Sequence, residues 1–229
     1  MKYELTDEKI TLFGRTLYRI KATKNFAYVK AGDKGGFIES VNNLSQDGDA
    51  WVYGDAKICG NAVICGNARI YGNAVISGNA RISGNARISG NAVIFGDAKI
   101  YGNAEIYGDA KIYGNARIYG NAVICGNAVI CGNARIYGNA VIFGDARISG
   151  NARISGNADY IVFKNWWSSG RYFTWTRSNN MWKVGCFYGT GEELIKKAYA
   201  DSEKSGKEYE RIVKYVESII SEENESNKI

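Results

Sequence analysis

The sequence of 229 residues contains no histidine and no proline. Without histidine the chain has no imidazole base, no serine–histidine or cysteine–histidine nucleophile pair and no histidine-ligated metal. Without proline, its turns have to be built by glycine and asparagine. The sequence also lacks an apolar run of the roughly 18 residues that a membrane span needs, and it lacks a charged-then-apolar leader. We therefore expect neither membrane insertion nor export.

The five cysteines form no CxxC pair and no other spacing typical of a zinc site. We expect them to be reduced, in a cytoplasmic protein without a metal or cofactor. The formal net charge is +6 at pH 7. An excess this mild suggests an anionic partner without requiring one.

A period of six residues organises the middle of the chain. Residues 48–161 form nineteen units of the pattern Gly-(Asn/Asp)-Ala-x-(Ile/Val)-x without an insertion or a deletion, and only the last unit departs from it, with Tyr160 at the fifth position. Alanine and the aliphatic residue are two positions apart, so both point to one face of a short strand, and the two x positions point outward. Glycine and asparagine tolerate the positive φ angles of a turn, which predicts a turn between successive strands.

This pattern resembles the left-handed β-helix of hexapeptide-repeat proteins, in which an aliphatic residue is followed four positions later by a small one. Ile58 with Ala62, and Ile64 with Ala68, fit that description. The resemblance implies a mainly β fold, a left-handed parallel β-helix with triangular coils of 18 residues. It also implies a homotrimer. Many proteins of this family are acyltransferases with a histidine base and a loop that leaves the coil, and this chain has neither.

Two segments of different composition flank the repeats. We expect residues 1–47 to form an N-terminal β cap, with strands at residues 2–5 and 16–21 and an irregular first coil in which Ile38 and Leu44 are six positions apart. Residues 162–229 predict a small aromatic α+β segment. Strands are expected at residues 161–163, 171–176 and 181–187, followed by two helices divided near Ser205 and Gly206.

The flanks carry a second likeness. Residues 30–39 (KAGDKGGFIE), 173–182 (FTWTRSNNMW) and 185–194 (GCFYGTGEEL) are similar to uncharacterised proteins of bacterial phages and prophages. That likeness brings no activity with it. It implies a mobile-element context and a setting in the host-cell cytosol.

With three units in each coil, every third unit lies on the same face, and one face is strongly basic. We call it face A. Its fourth repeat positions form a cation ladder of Arg81, Lys99, Arg117, Arg135 and Arg153. Its sixth positions form a tyrosine stack of Tyr101, Tyr119 and Tyr137. Like charges about 4.8 Å apart repel each other. The ladder therefore predicts a bound anion with several phosphates, a row of carboxylates from another subunit, or a hydrated face screened by salt.

The other two faces differ from face A. Face B presents an apolar patch, which we expect to pack against other subunits or to be covered by the C-terminal segment. The residues of this patch are Val75, Val93, Phe95, Val129 and Cys131. Face C begins with Trp51 and is mixed in character, so we expect it to contact the C-terminal segment.

The aromatic residues of the C-terminal segment allow two interpretations. They either frame a cation-lined pocket for a base or nucleotide, or form the core of a small sheet. The residues concerned are Trp166, Trp167, Arg171, Trp175, Arg177 and Trp182.

These observations favour a non-enzymatic binding protein that sequesters an anionic small molecule, such as a nucleotide signal of host defence. The alternative is a structural or adaptor protein that binds a host or virion protein, and an acyltransferase is the least favoured candidate. Extended nucleic acid is not expected, because the ladder spans only a few phosphates.

Overall fold

The computed structural model describes residues 1–226. It begins with a hairpin of strands β1 (Tyr3–Leu12) and β2 (Arg15–Ala22). Strand β3 (Lys34–Ile38) pairs antiparallel with β2 and parallel with the first coils, so the hairpin extends the sheet of face B. The two predicted strands of this segment are confirmed and are longer than expected.

A parallel β-helix follows, in which each repeat unit contributes one two-residue strand. The sheets join strands 18 residues apart, so that Lys99 pairs with Arg117 and Ile100 with Ile118. The predicted coil length of 18 residues is confirmed, and the structure contains about seven coils. Strands β4 to β21 are Trp51–Val52, Lys57–Ile58, Val63–Ile64, Arg69–Ile70, Val75–Ile76, Arg81–Ile82, Arg87–Ile88, Val93–Ile94, Lys99–Ile100, Glu105–Ile106, Lys111–Ile112, Arg117–Ile118, Val123–Ile124, Val129–Ile130, Arg135–Ile136, Val141–Ile142, Arg147–Ile148 and Arg153–Ile154.

The core is a stack of identical layers. The alanine and the aliphatic residue of every unit from Ala50 to Ile154 are fully buried, whereas the fourth and sixth positions face outward. The irregular first coil adds Ile38, stacked on Ile58, and Leu44, stacked on Ile64. Burying one isoleucine contributes about 1.5–3 kcal/mol, so the repeated layer is the main source of stability.

The last predicted repeat does not form a coil strand. Residues Asn157–Asp159 make a single 3-10 turn instead. The carboxylate of Asp159 accepts hydrogen bonds from the backbone N–H of Ser155 (2.6 Å) and of Gly156 (3.0 Å), which turns the chain out of the coil. The repeat glycines up to Gly150 have positive φ, but Gly156 is extended.

The C-terminal segment is a four-stranded antiparallel sheet followed by two helices. The strands are β22 (Tyr160–Lys164), β23 (Tyr172–Thr176), β24 (Met181–Val184) and β25 (Phe187–Gly189), and the helices are α1 (Gly191–Asp201) and α2 (Glu203–Ser226). Two predictions need correction. The strand expected at residues 181–187 is two strands, because Gly185 turns the chain at φ 56°. The helices divide at Ser202, and Gly206 lies inside α2, where a Cβ would be 2.2 Å from the Tyr199 ring.

Both ends of the β-helix are closed by side chains. At the N-terminal end, carbonyls of the first coil accept hydrogen bonds from Lys2, Arg19 and Asn43. At the C-terminal end, three backbone N–H groups that would donate to a further coil donate instead to side-chain oxygens. The pairs are Val141 to Asn157 Oδ1 (3.0 Å), Arg147 to Thr174 Oγ1 (2.9 Å) and Arg153 to Ser178 Oγ (2.7 Å).

Face C contacts both flanking segments, whereas only contact with the C-terminal segment was predicted. Trp51 is buried against the N-terminal cap, where its ring lies 6.1 Å from that of Tyr3 and 5.4 Å from that of Phe26. At the other end, the Tyr160 hydroxyl donates to the carbonyl of Val141 at 3.0 Å. Among residues 1–226, neither helix is long and apolar enough to cross a membrane.

Candidate anion-binding site

The cation ladder forms as predicted. Its five residues occupy the fourth position of consecutive strands in one parallel sheet, and each pairs in register with the next. The side chains of Arg81, Lys99, Arg117 and Arg153 are exposed, and that of Arg135 is half-buried. The inward Ile of each strand anchors the backbone, so the cations project from a rigid sheet.

None of the ladder cations forms an ion pair with a residue whose side chain the structure describes. The cations of face C are placed differently. Arg87 pairs with Glu105 at 3.6 Å, and the guanidinium of Arg69 lies 4.5 Å from the Tyr28 ring centre. Like charges on adjacent strands are unfavourable, so face A concentrates positive potential that an anion would relieve.

A column of asparagine side chains runs beside the ladder at the turn that precedes each strand of face A. Asn115 Nδ2 donates to Asn133 Oδ1, and Asn133 Nδ2 donates to Asn151 Oδ1, both at 3.1 Å. Asp97 accepts from Asn79 at 2.9 Å but has no amide to donate onward, so it interrupts the column. Such amide ladders stiffen stacked strands. The sequence contains the information for this column, because Asn recurs at positions 18 residues apart. The sequence analysis predicted only that Asn forms the turns and missed the hydrogen bonds between its side chains.

The ladder and the asparagine column together line a groove of about 420 Å³. Its cationic lining is Lys99, Arg117 and Arg135, and Asp97 places one negative charge at its edge. The arrangement offers guanidinium forks and amide donors to an elongated anion.

The tyrosine stack also forms as predicted. The ring centres of Tyr101 and Tyr119 are 5.1 Å apart with planes at 4°, and those of Tyr119 and Tyr137 are 5.3 Å apart at 10°. The two faces of the Tyr119 ring are thus covered by its neighbours. Only the outer faces of Tyr101 and Tyr137 can receive another ring.

A carboxylate, that of Asp159, lies beyond Tyr137. Ser155 occupies the next coil at this position, and its hydroxyl donates to Asp159 Oδ2 at 2.8 Å. Burial disfavours ionisation of Asp159, but the hydrogen bonds from Ser155 and Gly156 outweigh burial and lower the pKa of this carboxyl. A carboxylate therefore stands beside this end of the stack.

The aromatic pocket proposed for the C-terminal segment does not form, which corrects that hypothesis. Trp175 and Trp182 are 1% exposed and Trp167 is 8% exposed, because they form the core between the sheet and the two helices. The alternative interpretation, a sheet core, is confirmed for these three. Trp166 is exposed and meets Trp167 edge-on at 6.0 Å. Rings packed on all sides cannot stack on a base.

The two arginines of that hypothesis lie apart from each other. Arg177 pairs with Glu223, and its Nε donates to the carbonyl of Ala158 at 3.1 Å. Arg171 is exposed and lines a separate cavity of about 390 Å³ together with Lys197 and Tyr209. Arg177 is thus occupied in holding helix α2 to the end of the β-helix.

The apolar patch of face B is aligned on one sheet, as its spacing predicted. Val75 pairs with Val93 on adjacent strands, and the rings of Phe95 and Tyr113 stack at 4.9 Å with planes at 6°. Phe95 is 39% exposed, and Val75, Val93, Val129 and Cys131 are half-buried. The C-terminal segment does not cover Phe95, whereas the N-terminal hairpin buries Cys59 near the start of this face.

Comparison with known proteins agrees with the coil geometry. The repeat family described as the YdcK beta solenoid repeat matches residues 64–78, 68–84, 80–96, 110–126, 124–144, 134–150 and 146–158. These segments all lie within the β-helix. A search of the curated proteins found no match.

Proposed function

We propose that this β-solenoid repeat protein is a non-enzymatic binding protein that holds an anion with several phosphate groups on face A. One observation carries the proposal, the in-register ladder of five cations without ion-pair partners in residues 1–226. A ligand with negative charges repeated along its length would relieve the repulsion between several rungs at once.

Phosphate suits this geometry better than an isolated carboxylate. Arginine forks bind phosphate through two parallel hydrogen bonds, and four of the five ladder residues are arginine. The rungs are about 4.8 Å apart, so neighbouring phosphates of one chain can each meet a different rung. Asparagine amides in the groove add neutral donors.

We further propose that the natural ligand is a nucleotide signal of host defence, kept from its receptor by tight binding. Support comes from the tyrosine stack beside the ladder and from the likeness of the flanking segments to phage and prophage proteins. The setting would then be the host-cell cytosol.

Titration calorimetry with inorganic tripolyphosphate, ATP and cyclic dinucleotides tests the proposal. Arg117→Glu should weaken binding by roughly tenfold or more, since a charge-assisted hydrogen bond contributes about 1.5–3 kcal/mol. The matched control is Lys111→Glu, which changes the net charge equally at the same repeat position on face B. Equal losses in both variants, or no binding to the wild type, would overturn it.

A structural or adaptor role is the second candidate, and the apolar patch of face B favours it. We propose that this patch joins subunits, with a homotrimer as the expected assembly. Phe95→Glu should then dissociate the oligomer in native mass spectrometry. Phe143→Glu, at the same repeat position on face C and 61% exposed, is the control. A wild-type monomer would refute subunit packing through face B.

A further inference from the structure

The tyrosine stack has two different ends. Tyr119 is covered on both faces, so a further ring can add only at Tyr101 or at Tyr137. In both cases the next coil carries serine at this position, Ser83 before Tyr101 and Ser155 after Tyr137. Serine is small, so each end offers space where the repeat could have placed another aromatic ring.

The end at Tyr137 is unsuited to an anionic ligand. Ser155 donates its hydroxyl and its backbone N–H to Asp159, at 2.8 Å and 2.6 Å. The carboxylate of Asp159 would repel a phosphate nearby.

The end at Tyr101 differs, because the carboxylate in its groove, that of Asp97, lies at the turn before Lys99 and accepts a hydrogen bond from Asn79 rather than from the serine. The Tyr101 ring is 38% exposed, and Ser83 is half-buried in the neighbouring coil. Arg81 is exposed two residues before Ser83, and Lys99 two residues before Tyr101. Residues two apart along a strand are separated by about 6.7 Å, comparable to the span that a ribose places between a base and its first phosphate.

We propose that face A selects nucleotides over simple polyphosphates, because the base stacks on the free face of Tyr101 above Ser83. We call this position the Tyr101 shelf. The base continues the tyrosine column at the spacing of an offset aromatic pair, and the phosphates extend along Arg81, Lys99 and Arg117. This inference rests on the proposed function, because the ladder has to bind the phosphates.

The substitution Ser83→Tyr tests the shelf without removing a cation. The new ring should occupy the free face of Tyr101 and extend the stack. We expect ATP to lose roughly tenfold in affinity, as stacking on an aromatic side chain predicts, while inorganic tripolyphosphate binds unchanged. Ser77→Tyr is the matched control, because it places the same ring next to Phe95 on face B and should alter neither affinity.

The variant Tyr101→Leu gives an independent measurement. This variant removes the ring on which the base would stack. It should also lower the affinity for ATP but not for tripolyphosphate. If the wild type binds ATP no better than tripolyphosphate, and neither variant changes ATP binding, the shelf is refuted while the ladder stands. If the wild type binds neither compound, the proposed function fails and the shelf with it.

Discussion

The ammonium nitrogen of Lys2 lies 2.9 Å from the carbonyl oxygen of Ala50 and 3.2 Å from that of Gly48. In the next coil, the corresponding carbonyl of Gly66 accepts from the backbone N–H of Ala50 at 2.8 Å. The first coil has no preceding coil on this side, so a buried side chain supplies the missing donors. The Lys2 side chain thereby donates to carbonyls of the first coil, whereas in the next coil the corresponding carbonyl accepts from a backbone N–H.

Replacing Lys2 should destabilise the protein although no core contact of the coils is lost. Lys2→Met leaves two carbonyls without this donor in a site that is 1% exposed. We expect a loss of about 1–3 kcal/mol in the free energy of unfolding, measured by urea denaturation. Lys9→Met, the same change at an exposed position of strand β1, should be nearly neutral. Equal stability of the two variants would contradict the capping role.

The same residue predicts a pH dependence. Burial lowers the pKa of the Lys2 ammonium to about 8, and the charges of Asp49 and Asp47 offset this only in part. The unfolded group titrates near 10.5, so between pH 8 and pH 10 the unfolded chain binds more protons than the folded one. The stability of the wild type relative to Lys2→Met should therefore rise over this interval, by about 1–2 kcal/mol. A flat difference in denaturation experiments would refute the lowered pKa.

The repeat made the β-helix and its faces predictable from sequence. A strict period of six with alternating inward and outward positions assigns each side chain to a face once the coil length is known. Arg117 and Tyr119 consequently lie where the pattern placed them, in register with their neighbours. The assignment does not depend on any single residue, because eighteen strands between residues 51 and 154 follow the same pattern.

The ends of the β-helix were not predictable in the same way. The contact of Thr174 with Arg147 joins two segments that share no period, and nothing in either local sequence indicates the other. Trp175 shows the same limit, since a tryptophan suits a ligand pocket or a core equally until its neighbours in helix α2 are placed. Long-range packing of non-repeated segments decides these positions, and one sequence does not encode it as a visible pattern.

The repeat glycines should differ in their tolerance of a side chain. At Gly120, φ is 74° and a Cβ would lie 2.9 Å from the backbone N and O of Gly138. At Gly144, φ is 65° and no atom lies within 4 Å of a Cβ. Gly144→Ala should cost about 1–2 kcal/mol from backbone strain alone, and Gly120→Ala clearly more, because the coils must also separate. Thermal denaturation of both variants measures the difference, and equal losses would argue against close coil stacking.

The C-terminal closure predicts an effect of a single oxygen atom. Thr174 is fully buried, and its Oγ1 accepts the N–H of Arg147 at 2.9 Å. Thr174→Val keeps the shape but leaves that N–H unpaired, which should cost about 1–3 kcal/mol. Thr174→Ser keeps the oxygen and should be the milder change. A serine variant less stable than the valine variant in urea denaturation would show that packing, not this hydrogen bond, holds the closure.

The cation ladder should weaken the fold that carries it when no anion is bound. Arg117→Gln removes a central rung and with it the repulsion from Lys99 and Arg135, so the melting temperature should rise in low salt. In about 0.5 M sodium chloride the difference should vanish, because screening shortens the range of the repulsion. Arg87→Gln, the matched change on face C, breaks the pair with Glu105 and should give no such rise.

Tripolyphosphate should raise the melting temperature of the wild type more than that of Arg117→Gln, since a ligand stabilises the state that binds it. A wild type that melts no lower than Arg117→Gln in low salt would mean that the ladder charges are already compensated, and the electrostatic basis of the proposed binding would be lost.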